Sequence, residues 1–292
     1  MAKIAYFDCA AGIAGDMCLG ALVSAGVPID YLNEIVQRLG LAAEVKIWGE
    51  KVLKCGQEAT KVYVEITGHG HDDPGTFRHG QDQAAAQVNH KHRHLADIEK
   101  IIKAANLSDR TAQWSLSVFR NLANAEAAVH GVTPEQVHFH EVGALDAIGD
   151  IVCTCAAIDW LGVNQIYCSA LPTGGGYVNC DHGRMPVPAP ATLKLWEMHQ
   201  VPVFSNGINK ELVTPTGAAI AVTLCDRFGQ PPAMQLTRVG IGAGSRDLDI
   251  PNIVRLWLGE TNPDSNPINP NTSLEQAKKN LIPPPAETDK PN

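Results

Sequence analysis

The sequence predicts an α/β protein, with a mixed α+β arrangement as the alternative: helices packed on a mixed sheet and interrupted by a His-rich linker. Three observations carry this. Apolar stripes at i, i+3, i+4 and i+7 take turns along the chain with short period-two runs. Glycines and prolines fall between those runs, where turns are needed. The 292 residues, 45% of them hydrophobic, are enough for one large domain or two smaller ones with a proper core.

The elements follow in order. Lys3–Phe7 reads as a strand, and DCAAGIAGDM turns through glycines into a helix from Asp16 to about Ala25, stopped by Gly26 and Pro28. Leu32, Ile35, Val36 and Leu39 make a helical stripe closed by Gly40. Val45 and Ile47, then Val62, Val64 and Ile66, alternate as two strands of a hairpin with a long connection. Between Gly68 and His94 the pattern collapses: six histidines and almost no large apolar residues predict a flexible linker. Leu95, Ile98, Ile102 and Ala105 restart a helix. Ser108 is a fitting N-cap for a longer one that ends before Gly131, with Phe119, Leu122 and Val129 on its buried face.

Glu135–Val142 reads as a strand, Ala144–Leu161 as a buried helix and Gln165–Leu171 as a strand. A long Gly/Pro-rich loop precedes a helix from about Ala191 to Glu197, then a short VPVF strand. A Thr-capped helix over TGAAIAVTLCDRFG and two strands, Met234–Ile241 and Asn252–Leu258, complete the pattern. The expected organisation is therefore an α/β segment 1–67, a linker 68–94, a main α/β segment 95–260 that forms one unit with the first, and a disordered tail 261–292 rich in Pro, Asn and Ser.

A formal net charge of −8 argues against a nucleic-acid binder, which needs a basic face. No apolar run approaches the ~20 residues of a membrane span, and the N-terminus lacks a basic-then-apolar leader, so a cytoplasmic protein is expected. The eight cysteines include no C-x-x-C pair, which leaves free, mostly buried thiols as the expectation.

The chemistry concentrates in VHFHEVGALDAIGDI, residues 137–151. On a strand, His138 and His140 share a face, ~7 Å apart. On the following helix, Asp146 and Asp150 share a face, with Cβ atoms ~5–6 Å apart, and Cys153 extends it. Carboxylates in so apolar a helix need a cation, a substrate or a partner. Glu126 and His130 form a second pair, four apart. The ordinary alternatives are an edge histidine and an aspartate at a helix start. This ligand set suits Ni, Zn, Co or Fe without choosing among them. In the linker, His69/His71 and His90/His92/His94 are either metal-collecting or simply solvated. Asp8 and Asp16 flank a strand-to-helix turn, a common address for sites in α/β proteins. TGGG at Thr173–Gly176 and GIGAG at Gly240–Gly244 offer backbone amides to an anion, or are turns; neither is a Walker A loop. The run from Cys180 to Arg184 gathers a thiol, an acid, an imidazole and a guanidinium. Glu211, Thr214 and Thr216 precede a helix as an anion cradle or an N-cap.

FDCAAGIAGDM, the His-rich run into RHLADIEKII, HFHEVGALDAIGDIV, LPTGGGYVNCDHGRMPVPAPAT, ELVTPTGAA and GIGAGSRDL with PNIVRLWLGE occur in this order. As an ordered set they resemble the nickel-insertion proteins of nickel-pincer cofactor synthesis, the LarC family, from Ile4 to Glu260. The resemblance implies nickel insertion into pyridinium-3,5-bisthiocarboxylic acid mononucleotide, a CTP-dependent cyclometallation serving lactate racemase-type enzymes. Metallating a ring carbon requires a base for its proton, for which Asp16, Glu141 and His182 are the candidates. The nucleotide phosphate requires a cradle, for which Gly174, Gly175, Arg184, Thr214, Thr216 and Arg246 are candidates. Nickel would be held by His138, His140, Asp146 and Asp150, and collected by His90, His92 and His94. The resemblance is to the N-terminal part. Full-length members continue into a CTP-binding C-terminal domain, and some divide the two by frameshifting, so a separately encoded domain is an expected partner. A homo-oligomer, and magnesium or manganese as a further metal, are also expected. Two other readings stand beside this one: a non-catalytic nickel chaperone or store, and a metal-dependent hydrolase.

Overall fold

The computed structural model describes residues 2–66, 93–139, 145–180 and 183–261. The linker interior, the tail beyond Thr261, and His90, His92, His140, Glu141 and His182 lie outside them. Strand β1 (Ala2–Asp8) is apolar on both faces and buried from Ile4 to Phe7. It turns through Gly12 into α1 (Gly15–Ser24), and Gly26, at φ +108°, reverses the chain into α2 (Ile29–Arg38). Leu32, Ile35 and Val36 form the buried stripe of α2, each contributing about 1.5–3 kcal/mol by leaving water.

Strands β2 (Val45–Lys54) and β3 (Gln57–Ile66) pair antiparallel over their whole length. The long connection expected between them is instead two residues, Cys55 and Gly56, both at positive φ. That turn geometry matches the twist of paired strands, so the ladder continues to its tip. After the linker, β4 (Arg93–His94) leads into α3 (Leu95–Ala104), which places His94 in an ordered element. Helix α4 (Asp109–His130) begins where Ser108 Oγ accepts the Thr111 N–H at 3.1 Å and ends at Gly131 in the left-handed region. Phe119 and Leu122 are buried, but Val129 is exposed: in the last turns the inward positions pass to Ala125 and Ala127. The strand expected over Glu135–Val142 opens as a 3₁₀ turn, Pro134–Gln136, because Thr133 and Gln136 cap it reciprocally and Pro134 fits its first position. Strand β5 (His138–Phe139) follows and pairs with β4.

Helix α5 (Leu145–Trp160) is buried almost all round, packed by α1, α2, α4 and the later helix Pro215–Leu224. Next come β6 (Gln165–Cys168) and the short β7 (Leu171–Pro172). The Gly/Pro-rich stretch expected as loop carries a hairpin of β8 (Tyr177–Cys180) and β9 (Gly183–Pro186), whose few residues show no alternation to read. Then follow α6 (Pro190–His199), β10 (Val203–Phe204) beside β7, α7 (Pro215–Leu224), β11 (Arg227–Phe228), β12 (Gln235–Ala243) and β13 (Ile253–Thr261).

Seven strands form the main sheet in the order β11-β6-β1-β13-β12-β3-β2. β11, β6, β1, β12 and β3 run one way, while β13 and β2 oppose them. The carboxyl ends of β1, β6, β11 and β12 therefore open on the same edge, where α/β sheets bind ligands. Helix α1 lies directly on β12. A side chain on Gly240 or Gly242 would collide with the carbonyls of Ala21 and Met17, so these glycines of GIGAG admit a helix.

Candidate functional site

At that edge the first turn of α1 meets β3, α5 and the segment after β12. Asp16 Oδ2 accepts from Lys61 Nζ and from Ser245 Oγ at 3.2 Å. Its Oδ1 accepts the Met17 N–H at 2.8 Å, as an acidic residue in a first turn favours. Lys61 Nζ also donates to Ser245 Oγ at 2.7 Å and lies 5.5 Å from the Tyr63 ring centroid. Only 4% of Lys61 is exposed, so a full ammonium is withdrawn from water against one hydrogen-bonded carboxylate.

Asp150, one turn along α5 from Asp146, reaches the same region. Its carboxyl packs against Gly15, where an added methyl would sit 2.6 Å from the Asp150 Cγ. Oδ1 of Asp150 is sealed from solvent and has no hydrogen-bond partner among the described residues. Burial pushes this carboxyl well above the usual range, the charges of Asp16 and Asp146 push it further, and Lys61 opposes them. Asp146 is exposed in the first turn of α5, its Oδ1 accepting the Ala147 N–H at 2.8 Å.

Asp16, Asp146 and Asp150 thus share one electrostatic neighbourhood. Among the described residues no three His, Cys, Asp or Glu side chains stand ready to hold a metal ion as they are. His138 lies on β5, paired in the backbone ladder with His94 of β4. His94 also begins α3, its N–H donating to Asp97 Oδ2 at 3.1 Å. Cys153 does not extend the carboxylate face: its thiol turns to the Leu32 carbonyl at 3.7 Å. Glu126 and His130 lie 3.6 Å apart on α4.

The phosphate-cradle candidates are dispersed. The Gly175 N–H donates to the Lys210 carbonyl at 3.2 Å, and Gly174, at φ +63°, packs on the same carbonyl. Arg184 stacks on Tyr177 across the β8–β9 hairpin, 4.3 Å from the ring centroid. Thr214 Oγ1 accepts the Gly217 N–H at 3.1 Å and so caps α7, with Thr216 in the first turn. Arg246 donates to the Glu211 carbonyl at 2.8 Å and pairs with its carboxylate at 3.4 Å. A shallow cleft of about 200 Å³ opens over the ends of β1, β6 and β11, lined by Tyr6, Asp8, Ser169, Phe204 and Gln230 among others. Asp8 at its edge is ion-paired with Arg255. Below it Cys9 and Cys168 place their sulfurs 3.6 Å apart, both buried and free, as expected of small apolar fillers.

Lys61 and Ser245 are not signalled by the sequence. An alternating strand assigns Lys61 to a solvated face, and its burial arises only when α1 and the β12 end close over β3.

The model of a family described as nickel insertion protein matches residues 5–281. The chain belongs to the nickel insertion protein family. A relative from Rippkaea orientalis is 59% identical over 262 residues, which are 90% of this chain and 61% of the relative. One from Gloeothece citriformis is 58% identical over 261 residues, 89% of this chain and 62% of the relative. One from Synechococcus elongatus is 55% identical over 276 residues, 94% of this chain and 64% of the relative. All three are described, by inference, as nickel insertion proteins. The chain spans about three-fifths of the length of these relatives. No solved structure matches. In this nickel insertion family member no helix among the described residues is long and apolar enough to cross a membrane.

Proposed function

We propose that this chain receives nickel and delivers it into pyridinium-3,5-bisthiocarboxylic acid mononucleotide, as the nickel-handling part of a CTP-dependent cyclometallase that makes nickel-pincer cofactor. The observation that carries the reading is the Asp16–Asp150 neighbourhood, in a chain of the nickel insertion family: a buried, unpartnered carboxyl oxygen beside a second carboxylate at the ligand edge of the sheet. Asp16, Asp146 and Asp150 supply oxygen donors, and His138 and His140 lie on the segment that enters α5. Oxygen and imidazole donors hold a borderline divalent ion less tightly than a closed tetrathiolate site, which suits a metal meant to leave. The cleft walled by Tyr6 and Phe204 supports the reading by offering a planar ring a place on the same edge. Ring metallation expels a proton, and Asp16, Glu141 and His182 are the bases proposed for it. The greater length of the relatives leaves room for a CTP-binding region, which is proposed to act with this chain.

The test is nickel insertion into the bisthiolated nucleotide with CTP and magnesium or manganese, with and without a separately supplied C-terminal region. Formation of the nickelated nucleotide in the complemented mixture is expected. Absence of product there, together with absence of nickel binding, would overturn the reading. The His-rich run favours a second reading, a nickel store: in that case deletion of residues 68–92 removes most bound nickel and Asp16→Asn removes none.

A further inference from the structure

We propose that Lys61 is a tethered competitor for nickel: its ammonium holds the cation position beside Asp16 and Asp150, is displaced as the metal loads, and keeps nickel affinity low enough for delivery. This rests on the nickel reading of the same site and adds to it how the metal is released.

Lys61 comes from a different element than either carboxylate, yet it is nearly inaccessible to water. Its Nζ engages Asp16 and Ser245, and its charge acts on Asp150. The ammonium is hydrogen-bonded to Asp16 and Ser245 and not to Asp150, and the oxygen left over is the sealed, unpartnered Oδ1 of Asp150. A divalent ion takes the place of the Asp150 proton, which is released, balances both carboxylates and gives that oxygen a partner. A lysine and a metal cannot both hold Asp16 Oδ2 at close range without strong mutual repulsion in a site of low polarity. The four-carbon stem lets the ammonium withdraw while β3 stays in place. The Tyr63 ring face, with its centroid 5.5 Å away, offers the displaced charge a favourable position. When nickel leaves, the lysine returns and re-neutralises Asp16, so departure does not leave that carboxylate without a counter-charge.

The test uses the full chain and nickel(II), measured by calorimetry and by chelator competition, with Asp16→Asn identifying the site class in question. Lys61→Met is expected to tighten that class at least tenfold and to slow nickel transfer to the chelator by a similar factor. Lys61→Gln, which keeps a polar head without charge, is expected to act in the same direction and serves where the methionine variant does not fold. Binding in wild type with equal or weaker binding in the folded variants overturns the competitor role and leaves the nickel reading standing. Absence of any Asp16-dependent nickel in wild type and variants alike overturns both.

Discussion

The Asp150 carboxyl occupies the space that a side chain on residue 15 would need, so the start of α1 and the second turn of α5 are fitted to one another through the absence of a Cβ at Gly15. Gly15→Ala should therefore disturb the site directly. A loss of about 1–3 kcal/mol in denaturant unfolding is expected from the overpacking, together with weakened nickel binding. The double variant Gly15→Ala/Asp150→Gly should recover most of the stability and none of the nickel binding. Additive losses in the double variant would contradict the contact.

Asp150 makes stability depend on pH with a defined sign. Its folded pKa is raised by burial and by Asp16 and Asp146, so the folded state holds the proton more tightly than the unfolded chain. Stability should fall as pH rises from the ordinary carboxylate range through the raised folded value. Asp150→Asn removes this term. The variant's Tm advantage over wild type should be small near pH 4 and grow toward pH 8, by about 2–4 °C for each kcal/mol. A Tm difference that is flat across this range would show that Asp150 is not the group responsible.

Helix α1 depends on the bare backbone of β12. Gly242→Val places a branched side chain against the Met17 carbonyl, so it should destabilise by ~3 kcal/mol or more or prevent folding. A change to valine at the exposed Gln235 of that strand should cost less than about 0.5 kcal/mol. Urea midpoints compare the two.

Thr214 distinguishes a helix cap from a ligand cradle. Thr214→Ala should cost about 1 kcal/mol by leaving the Gly217 N–H without its partner, and Thr214→Ser should restore it. Both variants should bind nickel as wild type does, because the residue serves α7 and not the carboxylates. A nickel defect that serine does not rescue would assign it to the site.

Much of this was legible in the sequence, for physical reasons. Helices α1, α2, α4 and α5 announce themselves through one-sided or all-round apolar patterns and through Ser108, Gly26 and Gly131 at their ends. Asp146 and Asp150 were readable as a pair because a helix repeats every 3.6 residues. The two-residue turn at Cys55–Gly56 was obscured because cysteine is an unusual partner for glycine at positive φ. The β8–β9 hairpin was hidden by strands too short to show a period. Lys61 was hidden more deeply: a lysine in an alternating strand reads as solvent-facing, and only the three-dimensional closure of α1 over β3 buries it. The roles of Gly240 and Gly242 were likewise invisible, since a glycine pair that admits a helix looks the same as one that turns a loop.

Whether Asp16 and Asp150 hold the metal is decided by nickel equilibrium binding to the full chain and to Asp16→Asn and Asp150→Asn, each with His90, His92 and His94 intact. Each single aspartate variant should weaken one nickel class at least tenfold, above a histidine class that neither alters. Unchanged binding in both aspartate variants would contradict that role and leave the histidines as the holders of the metal.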